Sequence, residues 1–117
     1  PHLPESRRLA AHIQAELQKV LPGNQNGILP GNFYLLRHVP YPTVLVEAGF
    51  LTGTADRERL RSPSGRQAIA EAIAAGIIAY HAGHATPSVP ERPTLMPALE
   101  WPRFEPGEHG DEARCGT

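Results

Sequence analysis

Apolar residues along the chain fall into two helical stripes separated by a stretch of strand-like composition. From Pro4 to Leu21, the residues Leu9, Ile13, Leu17, Val20 and Leu21 share one helical face while Arg8, Gln14, Gln18 and Lys19 occupy the other. This spacing predicts an amphipathic helix. Pro22-Gly23 marks its end, and Asn24-Gln25-Asn26-Gly27 and Pro30-Gly31-Asn32 carry turn chemistry. Phe33-Tyr34-Leu35-Leu36 then has strand composition, interrupted by Pro40 and Pro42, and Thr43-Val44-Leu45-Val46 is a second, β-branched run. Polar alternation is absent from the second run, which predicts a buried strand covered on both faces, as in a parallel sheet flanked by helices.

Asp56 to Arg61 carries alternating charges and predicts a short exposed helical turn. Ser62-Pro63 reads as an N-cap followed by proline at the first helical position. From there to about Tyr80, Ile69, Ile73 and Ile77 recur every four positions among alanines, the core-facing stripe of a second long helix that ends at a glycine cap near Ala82-Gly83. The order helix, strand, strand, helix predicts an α/β layered arrangement for residues 1–82. Beyond Gly83 there are prolines at 87, 90, 93, 97, 102 and 106 and no sustained periodicity, so residues 83–117 are expected to form an extended or disordered Pro-rich tail, with Trp101 and Phe104 able to tack it locally onto a neighbour.

Length and charge narrow the function classes. A chain of 117 residues holds one small domain and leaves no room for a second enzyme module. With 11 basic against 12 acidic residues and a formal charge of −1, there is no electrostatic footprint for nucleic acid or anionic lipid. No apolar run approaches the eighteen or so residues needed to cross a bilayer. The single cysteine, Cys115, forms no internal disulfide and lies in a polar stretch unsuited to a buried nucleophile. The start at Pro1-His2-Leu3-Pro4, without methionine, suits a processed product or a fragment, so a missing signal peptide carries little weight.

Glu47 is the most informative position. It ends the run Thr43 to Val46 and precedes Ala48-Gly49-Phe50-Leu51, so it sits between two apolar stretches. An ionised carboxylate buried there needs a cation, a metal or a catalytic use with a shifted pKa. The carboxyl end of a strand in a parallel sheet is also where active sites gather. The bland alternative is an ion pair with an arginine such as Arg37, or a cap on a neighbouring helix.

The stretch Pro42-Thr43-Val44-Leu45-Val46-Glu47-Ala48-Gly49-Phe50-Leu51-Thr52 resembles the signature near the end of the type 3 N-acetylmuramoyl-L-alanine amidases, where a proline, an apolar strand, a glutamate and Gly-Phe recur. Glu5 to Gln14 is similar to the helix before that strand, and Phe33 to His38 to its preceding strand. Ala55 to Leu60 and the Ile69 to Tyr80 helix resemble the closing segment of the domain. The likeness covers roughly residues 4–82 and is closest in flavour to the germination-specific amidases of spore-forming bacteria.

The resemblance implies the C-terminal part of a three-layer amidase domain and a peptidoglycan hydrolase that cleaves the amide between N-acetylmuramic acid and L-alanine of the stem peptide. It also implies a zinc ion that activates water, with a glutamate as general base and acid. Glu47 matches that glutamate. The family's zinc ligands, two histidines and a glutamate, come from earlier segments beginning with an Asp-x-Gly-His-Gly-like motif, and this chain has no such motif. No metal ligand is therefore assigned here, and the chain alone is expected to be inactive. His81 and His84 lack a third ligand, His12 reads as a helix-surface residue, His38 could line a substrate groove but reads first as a plain surface residue, and His109 lies in a short acidic, solvated stretch of the tail. The loop Asn24 to Asn32 carries none of the basic residues that related enzymes tend to show there.

Two other readings compete with the enzyme: a non-catalytic peptidoglycan-binding or scaffolding module, and a generic small α/β domain with a structural glutamate. Localisation outside the cytoplasmic membrane, in the wall or periplasm, follows from the substrate class alone. If the two strands belong to a larger sheet, the chain alone leaves a strand edge open, which predicts self-association through that edge.

Overall fold

The computed structural model describes residues 2–23 and 27–89. Four helices follow in order: α1 (Leu3–Val20), α2 (Tyr34–His38), α3 (Thr54–Arg61) and α4 (Pro63–His81). Among these residues no helix is long and apolar enough to cross a membrane.

Helix α1 starts with proline in its first turn, where the missing N–H is harmless, and ends on Leu21, whose N–H donates to the Leu17 carbonyl oxygen. Gly23, at φ +94°, turns the chain away. Helix α4 starts at the expected cap: the Ser62 hydroxyl oxygen accepts the Gly65 N–H at 3.0 Å. Its end is a paired closure, with Gly83 N–H donating to the Tyr80 carbonyl and His84 N–H to the Ala79 carbonyl, made possible by Gly83 at φ +71°.

The core lies between α1 and α4. Ile13, Leu17, Leu21, Ile69 and Ala72 are buried, and Leu9, Val20, Val44, Val46, Ala48, Leu60 and Ile73 pack around them. Burial of each large apolar side chain is worth about 1.5–3 kcal/mol, so this contact outweighs any single cap or surface ion pair. Gly76 sets how close the helices come, because a Cβ there would stand 2.5 Å from Ile13 Cα and 2.9 Å from the His12 carbonyl oxygen.

The α/β helix-strand-strand-helix arrangement expected from the sequence is not what forms. Among the described residues there is no strand, only an isolated bridge at Ile28. Phe33 to Leu36 falls in the N-cap and first turn of α2, a five-residue helix with no buried residue. Thr43 to Ala48 runs without helix but pairs with no neighbouring strand, and a strand exists only where its N–H and C=O groups meet those of a partner. The sheet edge on which self-association was expected is therefore absent from the described residues as well. Residues 90–117, most of the predicted tail, lie outside the described residues, as does His109.

The second long helix also differs in detail. The buried positions of α4 are Ile69, Ala72 and Gly76, while Ile77 is 47% exposed. A strict four-residue step advances about 40° around the helix each time, so Ile77 has rotated off the face that Ile69 shares with α1.

Candidate active site

Glu47 is carried by the segment between α2 and α3, and the packing of its neighbours decides where it points. Val44, Val46 and Ala48 lie against the core, whereas Leu45 is 56% exposed and Glu47 is exposed too. The segment therefore keeps the two-residue alternation of an extended chain with one face inward and one outward. The expectation of a strand covered on both faces is corrected here: the inward face is covered and the outward one, carrying Leu45 and Glu47, is open. Among the described residues the Glu47 carboxylate makes no hydrogen bond or ion pair, so the alternative of a pair with Arg37 does not hold. A solvated carboxylate needs no compensating cation.

The turn that follows Glu47 is tied to α3. Phe50 N–H donates to Asp56 Oδ2 at 3.0 Å, and Arg59 Nη1 donates to Asp56 Oδ1 at 3.2 Å. Gly53 N–H donates back to the Phe50 carbonyl at 3.0 Å, and Arg57 Nη1 reaches the Leu51 carbonyl at 3.3 Å. Gly49 has φ +149°, and a Cβ there would lie 2.9 Å from Asp56 Cγ and 3.0 Å from Oδ2. Glycine is thus demanded twice, by its backbone angle and by the carboxylate beside it. The sequence reading saw only alternating charges in this stretch. The available signal was an acidic residue at the third position of a helix, three residues after its N-cap Gly53 and close behind a Gly-Phe pair.

Helix α1 carries a second polar cluster against the end of α4. The Tyr80 hydroxyl donates to Glu5 Oε2 at 2.9 Å, Arg8 Nη2 lies 3.3 Å from the same oxygen, and the Arg8 guanidinium sits 4.7 Å from the Tyr80 ring centre. Glu5 holds the Tyr80 phenol above its usual 10.0, by accepting its hydrogen bond and, after the effect of burial, by its negative charge. His12, expected on the helix surface, is 3% exposed and meets Tyr80 edge-on at 6.3 Å between ring centres. A depression of about 450 Å³ beside this cluster is lined by Pro4, Arg7, Arg8, Ile28, Pro87 and Val89, and Glu47 takes no part in it.

The remaining histidines stand apart. His38 closes α2, stacked on Tyr34 at 4.1 Å, with Nδ1 2.9 Å from the Tyr34 carbonyl oxygen. His81 and His84 are both exposed at the end of α4. Among the described residues no group of three or more His, Cys, Asp or Glu side chains is placed to hold a metal. The described residues do not form the zinc site that the resemblance implies.

Comparison with known proteins places this segment. Over 81 residues the chain is 44% identical to an uncharacterized cell wall amidase of Bacillus anthracis, an alignment covering 69% of this chain and 15% of that protein. It is 33% identical over 76 residues to the N-acetylmuramoyl-L-alanine amidase LytC of Bacillus subtilis, covering 65% of this chain and 15% of LytC. It is 33% identical over 75 residues to the N-acetylmuramoyl-L-alanine amidase AmiA of Escherichia coli, covering 64% of this chain and 26% of AmiA. The chain thus spans about a quarter or less of the length of these three relatives. No solved structure matches it. The family model described as N-acetylmuramoyl-L-alanine amidase matches residues 1–79, which take in α1, the Glu47 segment, α3 and nearly all of α4, and the chain belongs to that family.

Proposed function

We propose that this chain is the C-terminal part of the catalytic domain of a peptidoglycan hydrolase, an N-acetylmuramoyl-L-alanine amidase, and that Glu47 is its proton-transfer residue. The substrate in this reading is the amide between the lactyl group of N-acetylmuramic acid and L-alanine of the stem peptide, reached outside the cytoplasmic membrane. The observation that carries it is the placement of Glu47 inside the family match, on the outward face of a segment whose inward face is anchored to the core.

Among the described residues the Glu47 carboxylate is exposed and unpaired, so it is accessible to a substrate amide and a water as general base and acid. It accepts a proton from the attacking water as oxygen bonds to the carbonyl carbon, then returns that proton to the departing nitrogen as the C–N bond breaks. Zinc is the proposed cofactor by family resemblance, and its ligands belong to a part of the domain other than the residues described here. Accordingly this chain alone is expected to be inactive.

The test is digestion of muropeptides with added zinc. This chain is compared with a version extended upstream to the length of its relatives, each with and without Glu47→Ala, on vegetative wall and on spore cortex, the substrate that the germination-specific flavour points to. The expected result is release of stem peptides by the extended form only, lost by at least 10²-fold on Glu47→Ala. Full activity after the substitution makes Glu47 structural and removes the site. If the extended form binds the glycan without cleaving it, the non-catalytic binding module is the better reading.

A further inference from the structure

We infer that Asp56 is a positioning residue for Glu47: it clamps the turn after the glutamate to α3 and so holds the carboxylate in one place. This inference rests on the assignment of Glu47 given above. It starts from what Glu47 lacks. Among the described residues its carboxylate has no hydrogen-bond or ion-pair partner, so only the backbone on either side fixes its position. On the upstream side Val44 and Val46 are anchored in the core, with Thr43 N–H donating to Ser6 Oγ at 2.9 Å. On the downstream side Ala48 packs inward, and then the chain reaches an exposed turn in which Phe50 is 60% and Leu51 67% exposed. Apolar side chains that face solvent do not hold a turn in place, so polar contacts must.

The Gly53 N–H on the Phe50 carbonyl and Arg57 on the Leu51 carbonyl supply two of them, and Asp56 supplies the one that reaches nearest to Glu47. One carboxylate oxygen takes the Phe50 N–H at 3.0 Å, and the other takes Arg59 at 3.2 Å, which fixes the plane of the carboxylate. The hydrogen bond to an ionised acceptor is the stronger kind, and it satisfies a backbone donor that α3 cannot reach otherwise. Gly49 lets the backbone close onto this carboxylate, since any side chain there would meet Asp56 Cγ at 2.9 Å. Phe50 is three residues from Glu47, so releasing its N–H frees a short span of chain that ends on the glutamate. A shift of about 1 Å at a reacting group is enough to cost roughly 10²-fold in rate.

The experiment uses the protein at the length of its relatives, with muropeptide as substrate, and Glu47→Gln assayed alongside. Asp56→Ala is expected to lower kcat by about 10- to 100-fold with KM within about twofold, because substrate binding is not what the clamp controls. Asp56→Asn keeps one oxygen for the Phe50 N–H and recovers most of that loss. Gly49→Ala attacks the clamp from the opposite side and gives the same kcat signature, which covers the case in which Asp56→Ala does not fold. The inference is overturned if Asp56→Ala or Gly49→Ala turns over at the wild-type kcat, if either raises KM with kcat unchanged, or if Asp56→Asn is as impaired as Asp56→Ala. An inactive Glu47→Gln beside a fully active Asp56→Ala removes the clamp alone, whereas a fully active Glu47→Gln removes the site assignment on which it rests.

Discussion

Two acidic side chains, Glu47 and Glu5, show how placement sets what a carboxylate does. Glu47 is exposed and has no protein partner among the described residues, whereas Glu5 holds the Tyr80 hydroxyl at 2.9 Å and the Arg8 guanidinium at 3.3 Å. Ionising Tyr80 would remove the hydrogen bond and set a phenolate beside Glu5, so its pKa is raised from 10.0 in the folded protein, with Arg8 pulling the other way. The sign of the linkage follows directly. A proton held more tightly in the folded state stabilises that state below the unfolded pKa of about 10, and the benefit is lost as pH rises through the higher folded value. The wild-type protein is therefore expected to lose stability on the alkaline side of about pH 10, and Tyr80→Phe to lose less over the same range. Melting temperatures followed across that range check this, and parallel curves for the two proteins would show that the Tyr80–Glu5 bond is not the cause. His12 was misjudged from sequence for a related reason: its place beside the Ile13 stripe gives no hint that α4 comes near enough to bury it.

At the scale of elements, α1, α3 and α4 were legible in the sequence, whereas α2 and the unpaired Thr43 to Ala48 segment read as strands that do not form among the described residues. Both long helices carry local stop and start signals, Pro22-Gly23, Ser62-Pro63 and Gly83, and these act within a few residues of themselves. Phe33 to Leu36 is too short an apolar run to choose its own conformation, and next to Pro40 it becomes one turn of exposed helix. Thr43 to Ala48 keeps the inward and outward alternation of a strand but lacks a partner, and pairing is a property of two segments that composition of one cannot reveal. Glu47 is singled out by the motif it shares with the family, and the physical argument from burial does not hold, because the residue is exposed. The cap of α4 offers a quantitative check at this scale. Ser62→Ala removes the acceptor for Gly65 N–H and is expected to destabilise the protein by about 1 kcal/mol, read as a lower urea midpoint at unchanged slope. A midpoint equal to wild type would mean that water satisfies that N–H equally well.

For the molecule as a whole, the contact of α1 with α4 carries the fold, since it joins the beginning of the family-matched region to its end and gives the Glu47 segment a surface to lie on. The sequence marked both faces through Ile13, Leu17 and Ile69 but pointed to Ile77 where the structure uses Gly76. An apolar stripe advertises itself by side chains, while a close backbone approach is made by the absence of one, and a hydropathy pattern is blind to that. Gly76→Ala separates the two descriptions. If α4 met α1 through its isoleucines alone, alanine would stabilise the protein by up to about 1 kcal/mol through helix propensity. With the added methyl 2.5 Å from Ile13 Cα and 2.8 Å from Ile13 N, the obstacle is backbone that cannot swing aside, so the helices must separate and loosen Leu17 and Ile69. The expected outcome is a net loss of about 1–3 kcal/mol in urea unfolding. Ile77→Ala, which removes a side chain that is half in solvent, should cost less than that, and the reverse order of the two variants would put the helix contact on the face that the isoleucine spacing first suggested.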